Sequence, residues 1–377
     1  MTRPASRRQA PEPRIWSSVI RGLQLPLVEH NIDPDRLISQ CGILTEDLQK
    51  PHSEIPLKKY LMFLETAARI AGDPLLGARL ARSAGPETLG AIGFLFLSSR
   101  TLGEATNNLC HYMNVLQGAT HVQLRQTASE ITYTYQLIGV SDVDCRQDVE
   151  FSLALTCRLI RIFAGADIAL NGVSFRHAAS APKMEYERLF KSPVWFDQDT
   201  NGVSFPVAFA RRQSKLLDHG LARILQDYLD DELERRNRLQ TFADQVGRSL
   251  LDGSLQAPVT AGKVARHLGV SEATLYRRLK VEGETFGSIV DARNLQLAKT
   301  YLSQSGLTVT QIAHLIGFSE PASFTRAFAR WTGGMTPSEY RRLVAMRARD
   351  ACLSGGVDAA PARRKPATGR KLQEGRQ

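Results

Sequence analysis

The sequence predicts an α+β domain followed by an all-α domain in which a long helix joins two helix-turn-helix units. Three observations support this fold class. The spacing of apolar residues changes from helical to alternating within the first 210 residues, a glycine-centred helical pattern occurs twice after residue 240, and a proline-free helical stretch joins the two copies. These periods indicate different elements because side chains repeat every 3.6 residues on a helix and every two on a strand.

The first domain is predicted to occupy residues 14–210. Its expected elements are helices from Ile15 to about Leu116, a β-hairpin formed by 121–127 and 131–137, a helix from about Cys145 to Phe163, and strands at 172–175 and 202–205. The hairpin is predicted because HVQLRQT and ITYTYQL both alternate apolar and polar residues around a short break. Helices and strands thus occur together in this part of the chain.

Four further segments complete the predicted organisation. Residues 1–13 are rich in proline and arginine and are predicted to be disordered. A helical linker is expected over 211–239, ending in the charged run DDELERRNR, and the second domain over 240–345. Residues 350–377 are of low complexity and basic, and a disordered tail is predicted there.

Nearly all of the net charge of +10 lies in the last third of the chain. Residues 1–239 hold 28 Lys and Arg against 27 Asp and Glu, whereas residues 240–377 hold 20 against 11. A basic module beside a neutral one indicates a polyanionic partner for the basic part. A basic tail that only aids solubility would give the same excess, so charge alone leaves both interpretations open.

Composition also indicates the cellular compartment in which the protein is expected. The longest apolar run, LGAIGFLFL at 89–97, is less than half of the roughly 20 residues that cross a bilayer. The basic N-terminus lacks the apolar region of a secretion signal. Five scattered cysteines without a CxxC pair are typical of a reducing compartment. We therefore expect a cytoplasmic, nucleoid-associated protein with no membrane partner.

Residues 240–345 contain an internal repeat, and both copies read helix, glycine turn, helix. Matching residues are Val264 and Ile312, Ala265 and Ala313, Gly269 and Gly317, Ser271 and Ser319, then, with one inserted residue, Leu275 and Phe324, Arg277 and Arg326, Leu279 and Phe328. One such pattern could occur by chance in any short helical domain. Two copies in the same order, in the basic third of the chain, argue against chance.

The residue types at these positions are those that a helix-turn-helix needs. A small residue, Ala265 or Ala313, stands where the two helices cross, and a glycine supplies the positive φ of the turn. Ser271 is a predicted N-cap, and Thr308 and Gln311 have capping-box spacing.

The stretch between the two units predicts one long helix. Thr285 is expected to cap it, and it continues to about Ser303, which gives about 27 Å at 1.5 Å per residue. A rod of that length suits two reading helices about one DNA turn, or 34 Å, apart. One chain is therefore expected to read two successive major-groove segments.

The second helix of each unit has one apolar and one solvent-facing side. Opposite the buried pairs, the exposed faces carry the candidate DNA contacts, Ala273, Tyr276, Arg277 and Lys280 in the first unit and Ala322, Thr325 and Arg326 in the second. An arginine central to each face suits bidentate contact with guanine, or a phosphate clamp.

These segments resemble a known family. VARHLGVSEATLYRRLK, Arg293 and Ala298 in the joining helix, and IAHLIGFSEPASFTRAFARWTGGMTPSEYRR resemble the DNA-binding domain of AraC/XylS bacterial regulators. LGAIGFLFLSSRTLGEA, VSFRHAA and the stretch from SPVWF to VSFP resemble the effector domain of a subgroup that includes ornithine-utilisation-type regulators. Two features depart from the family. Ala329 and Arg330 stand where a lysine is usual, and the small Ala273 and Ala322 where larger polar side chains often read bases.

The resemblance implies a transcription regulator, an activator, that binds promoter DNA in response to a small-molecule effector. It implies RNA polymerase as a partner, a possible homodimer and no cofactor. The family's base-contacting positions match six of the seven candidates above, all except Lys280. Effector contacts are not predicted. The aromatic residues Tyr133, Tyr135, Phe175 and Trp195 either line a pocket or fill a core, and Arg158 and Arg161 either meet a carboxylate or form a solvated face.

Two other classes of protein need weighing. Some DNA-repair enzymes join a similar segment to a reactive cysteine, but the cysteines and histidines here show no metal-ligand or nucleophile spacing, and no catalytic residue or metal site is predicted. An architectural DNA-compacting protein would use the basic tail for non-specific phosphate contacts. A large neutral front domain argues against that role.

Overall fold

A computed structural model describes residues 12–49, 53–138, 140, 143–165, 168–238, 241–251, 259–304 and 306–354. The disorder predicted for 1–11 and 355–377 falls outside this part of the chain. Each of the two segments predicted to be disordered includes a few residues that the structure shows to be ordered. The carbonyl of Pro13 accepts a hydrogen bond from the amide of Leu57 at 2.8 Å, and the last helix continues to Ser354.

The front domain is α+β, as predicted. Its helices are α1 (Ser18–Glu29), α2 (Pro34–Gln40), α3 (Thr45–Gln49), α4 (Leu57–Ala71), α5 (Leu76–Leu80), α6 (Ala91–Ser98), α7 (Leu102–Leu116), α8 (Arg146–Ala164) and α9 (Lys183–Phe190), with 3₁₀ turns at Pro86–Leu89 and Val207–Arg211. Its strands are β1 (Arg14–Trp16), β2 (Glu54–Pro56), β3 (Thr120–Gln126), β4 (Glu130–Leu137), β5 (Gly172–Ser174), β6 (Val194–Trp195) and β7 (Gly202–Pro206).

The strands form two sheets. The larger has the order β3-β4-β7-β5-β6, antiparallel except for the β5–β6 pair. It contains the predicted hairpin, with Thr120 opposite Leu137. The smaller sheet pairs β1 with β2 inside a region predicted to be helical throughout. Three-residue strands are too short to show alternation, so only the pairing of Ile15 with Ile55 reveals them.

Helix α8 crosses the centre of the front domain. The four aromatic residues considered in the sequence differ in how deeply they are buried. Tyr133, Tyr135 and Phe175 are buried in the core, whereas Trp195 is 45% exposed. Arg161 of α8 donates to the carbonyl of Phe190 at 2.6 Å. This arginine therefore holds the end of α9 and does not form a solvated face.

The helix expected as a linker, α10 (His219–Arg238), packs on the front domain. Leu229 is fully buried in the front-domain core, and Tyr112 donates to the Asp230 carboxylate at 2.7 Å. Near its end, Arg236 forms an ion pair with Glu54 of β2 and donates to the carbonyl of Asn114. The end of this helix is thus attached to β2 and α7.

The C-terminal domain is all-α. Its helices are α11 (Phe242–Leu251), α12 (Ala261–His267), α13 (Glu272–Val281), α14 (Phe286–Gln304), α15 (Val309–Leu315), α16 (Pro321–Thr332) and α17 (Pro337–Ser354). They enclose two separate cores that share only α14. Ile289, near the start of α14, belongs to the first core, and Leu297, Ala298 and Leu302 belong to the second.

Two buried carboxyl groups, of Asp148 and Glu150, lie near the half-buried carboxyl group of Glu65 in the front domain. Glu150 is fully buried and accepts a hydrogen bond from Tyr186 at 2.9 Å, and burial raises its pKa to about 8. Burial also raises the pKa of Asp148 to about 6 and that of Glu65 to about 7. Each group binds its proton more tightly in the folded state than in the unfolded chain.

The raised pKa of Glu150 predicts a pH-dependent stability. Its contribution is fully present below the unfolded value near 4.5 and is lost as pH rises through about 8. We expect the free energy of unfolding to fall between pH 6.5 and 8.5. Burial lowers the pKa of His177, which has the opposite effect on stability, but that effect occurs at lower pH. Glu150→Gln should reduce this slope in urea denaturation, and the exposed Glu46→Gln should not. Equal slopes would contradict the assignment.

Candidate nucleic-acid interface

The first helix-turn-helix consists of α12 and α13. Gly269 has φ +66°, the left-handed conformation that the turn requires. The Ser271 hydroxyl accepts a hydrogen bond from the amide of Thr274 at 3.1 Å, which confirms the predicted N-cap. Leu275 and Leu279 are buried in the first core, so the other side of α13 faces solvent.

The second unit, α15 and α16, repeats this plan with one change. Gly317 has φ +98°, and the predicted capping box between Thr308 and Gln311 is present. Helix α16, however, is preceded by Glu320 as its N-cap, without a side-chain cap, and starts at Pro321. The inserted residue of the repeat therefore lies in the turn, between the glycine and the start of the second helix.

The candidate DNA contacts lie on one side of α13 and one side of α16. Six of the seven are exposed: Ala273, Tyr276, Arg277, Lys280, Ala322 and Arg326. Thr325 is half-buried, and its hydroxyl donates to the carbonyl of Pro321 at 3.0 Å. Arg326 is 3.1 Å from the hydroxyl of Ser323, which keeps the guanidinium against its own helix.

Helix α14 connects the two faces as a single element. Thr285 caps it, accepting from the amide of Ser288 at 3.0 Å as predicted. Its 19 residues correspond to about 28 Å at 1.5 Å per residue. Arg330 of α16 forms an ion pair with Asp291 of α14 at 3.1 Å, so α16 is joined to α14 outside the core as well. At Arg330, the departure from the family pattern has a structural role.

Among the described residues, two of the front domain that the sequence did not indicate pack against the second core of the C-terminal domain. Ile138, just after β4, is buried in the second core. The Arg176 guanidinium lies 4.3 Å from the centroid of the Tyr301 ring on α14. Arg176 is 2% exposed, and its guanidinium nitrogens have no hydrogen-bond partner within the described part of the chain. The aromatic ring thus contacts this buried charge directly, and Asp199 lies near enough to favour the charge electrostatically.

The Arg176–Tyr301 contact predicts a measurable coupling between the domains. In a double-mutant cycle with Arg176→Met and Tyr301→Leu, we expect a coupling energy of about 0.5–2 kcal/mol, the range of cation–π pairs. Urea denaturation of the four proteins measures it. The control is a second cycle that combines Arg176→Met with Tyr276→Leu, because Tyr276 is exposed on α13. Equal coupling in both cycles would contradict a specific contact.

The four cysteines whose side chains the structure describes do not have the environment of a nucleophile, because burial raises the pKa of each thiol. Burial raises the pKa of Cys110 to about 12 and that of Cys157 to about 12, whereas a reactive thiol has a lowered pKa. No group of three or more potential metal ligands occurs among the residues that the structure describes. None of the described helices is both long enough and apolar enough to span a membrane.

Comparison with known proteins matches two separate parts of the chain. Residues 32–214 match the arabinose-binding N-terminal domain of AraC transcription regulators, and residues 264–343 match a helix-turn-helix domain. The chain belongs to the AraC family. It is a transcription regulator whose C-terminal domain binds DNA through helix-turn-helix units.

Individual relatives have low sequence identity to this AraC-family chain, but the similarity extends over most of each chain. The ornithine utilization regulator of Pseudomonas aeruginosa is 25% identical over 84% of this chain and 92% of its own. The regulator VirS of Mycobacterium tuberculosis is 28% identical over 76% of this chain and 84% of its own. The crystal structure of CdpR from Pseudomonas aeruginosa covers 85% of this chain and 97% of its own, with 20% identity and a TM-score of 0.44.

Proposed function

We propose that this regulator is an effector-responsive activator that reads two successive major-groove segments of promoter DNA. The observation that carries the proposal is the pair of exposed faces on α13 and α16, each with a central arginine, connected by one helix of about 28 Å. That length is close to one turn of DNA, about 34 Å. Both faces can therefore meet the same side of one duplex.

The seven candidate residues take different roles. Arg277 and Arg326 make bidentate contacts to guanine, and Lys280 binds phosphate. Since the Thr325 hydroxyl is already bonded to the helix backbone, its methyl group is the part offered to DNA, where it fits the thymine methyl. Tyr276, 49% exposed, presents its ring to the DNA, and the small Ala273 and Ala322 allow close approach to the bases.

The activator role and the effector have separate support. The transcriptional activator AggR of Escherichia coli is 29% identical over 33% of this chain and 51% of its own. Activation requires RNA polymerase as a partner. The names of the matching front-domain family and of the ornithine utilization regulator indicate small metabolites as effectors. Through Arg176 and Ile138, a change in the front domain reaches the second reading unit, and we assign the chain no catalytic activity.

Footprinting with the full chain on DNA from its own promoter region tests this function. We expect two protected segments on one face, centred about 10 base pairs apart, and an affinity that falls steeply with salt. Random DNA of the same length is the control and should bind at least about 10³-fold more weakly. Equal affinity for both would instead support an architectural protein.

A further inference from the structure

A cavity of about 340 Å³ lies in the front domain, beneath α10. Trp16 of β1 and Ser18 of α1 form one wall, the turn that leads into α6 forms another, and Tyr228 of α10 contributes a third. This volume falls at the lower end of the range of small-molecule sites, about 300–1,000 Å³. Its size therefore suits a compact metabolite.

The cavity combines an apolar surface with a polar group that lacks a partner. Trp16 is 2% exposed. The Ser18 hydroxyl is also buried, and it has no hydrogen-bond partner among the residues that the structure describes. Such a buried hydroxyl is costly unless a ligand or water satisfies it. Gly90, at φ +58°, keeps the space open, because a side chain there would point toward Trp16 and Ser18.

Two side chains of opposite charge line the same cavity. Arg21 of α1 donates to the carbonyl of Leu48 at 2.7 Å, and a Glu87 oxygen accepts from the amide of Gly85 at 3.0 Å. A guanidinium is the preferred partner of a carboxylate, and a carboxylate pairs with an ammonium group. A ligand that pairs with both side chains must carry both charges.

We propose that this cavity is the effector site and that it binds a small L-amino acid. The ligand carboxylate meets Arg21, the ammonium group meets Glu87, and the side chain packs against Trp16 and Tyr228. The inference rests on the proposed effector response and specifies the site and the chemical class of the effector.

The position of the cavity explains how such a ligand acts on the rest of the molecule. The amino acid would join α1 and the turn before α6 to Tyr228 of α10. The same helix is anchored at Arg236 and leads into the DNA-binding domain. Because ligand contacts on α10 favour one placement of this helix, binding shifts the balance between two states of the regulator.

Calorimetry with the full-length protein tests the site without DNA. The probes are the twenty proteinogenic L-amino acids one at a time and, for each that binds, the corresponding carboxylic acid without its amine and the amine without its carboxylate. We expect saturable binding of at least one amino acid at one site per chain, and binding about tenfold or more weaker for both single-charge analogues. D-xylose, a neutral pentose, should not bind. Binding of none of the amino acids, or of xylose alone, would overturn the proposal.

Variants localise the binding. Arg21→Gln and Glu87→Gln should each weaken it about tenfold or more, since each removes a charge-assisted hydrogen bond. Ala91→Leu should fill the cavity and abolish binding, with circular dichroism to show that the variant folds. Arg36→Gln and Glu46→Gln, both exposed outside the cavity, are the matched controls. Undiminished binding in the Arg21 and Glu87 variants would place the site elsewhere, and an intact promoter footprint would then leave the regulator function standing.

Discussion

Replacing Arg277 and Arg326 together by alanine is expected to weaken binding to the promoter site by about 10²- to 10⁴-fold. Each arginine is exposed at the centre of its reading face, and a bidentate contact to guanine contributes about 1–3 kcal/mol. The two losses should add, because the arginines belong to helices in separate cores. Fluorescence anisotropy with the promoter fragment measures the affinity of both single variants and of the double variant.

The control removes the same charge from another surface. Arg36 and Arg82 are exposed on the front domain, and their double alanine variant should change promoter affinity only slightly. On random DNA, the Arg277 and Arg326 variant should lose much less affinity than on the promoter. Equal loss on both DNAs would show that these arginines clamp phosphates and do not read bases. Unchanged promoter affinity would exclude both roles.

Phe328→Ala is expected to reduce the free energy of unfolding of the second helix-turn-helix by about 3–5 kcal/mol. Phe328 is fully buried, with ring centroids 5.8 Å from Phe324 and 5.7 Å from Tyr340. Its loss leaves a cavity in a small core, so α16 should no longer hold its reading face in place. Footprinting should show loss of one protected segment, and urea denaturation measures the stability.

A matched substitution in the first core tests whether the two units bind DNA independently. Leu279→Ala is expected to cost about 2–5 kcal/mol and to remove the other protected segment, because Leu279 is buried in the first core. Leu315→Ala, at a residue that is 50% exposed, should change the stability by no more than about 0.5 kcal/mol. If either core substitution removed both protected DNA segments equally, the two units would not bind DNA independently.

The two helix-turn-helix units could be predicted because their determinants lie within a few residues of one another. The turn glycines, the cap at Ser271 and the capping box at Thr308 are local interactions, and each is present in the structure. The exposed positions of Arg277 and Arg326 follow from helical periodicity once the buried pairs are known. Which bases these arginines contact stays a prediction, because that depends on the DNA.

The sequence by itself therefore determined the fold class, the β-hairpin, the repeated helix-turn-helix and the two exposed helix faces. Only the tertiary structure decided the β1–β2 pair, the docking of α10 on the front domain, the Arg176–Tyr301 contact and the cavity beside Trp16. The physical reason is the distance along the chain. Local caps and periodic patterns are properties of one segment, whereas Ile15 meets Ile55 and Arg176 meets Tyr301 only after the whole chain has packed. No short pattern marks such residues in advance, because each gains its role from a partner in another part of the chain.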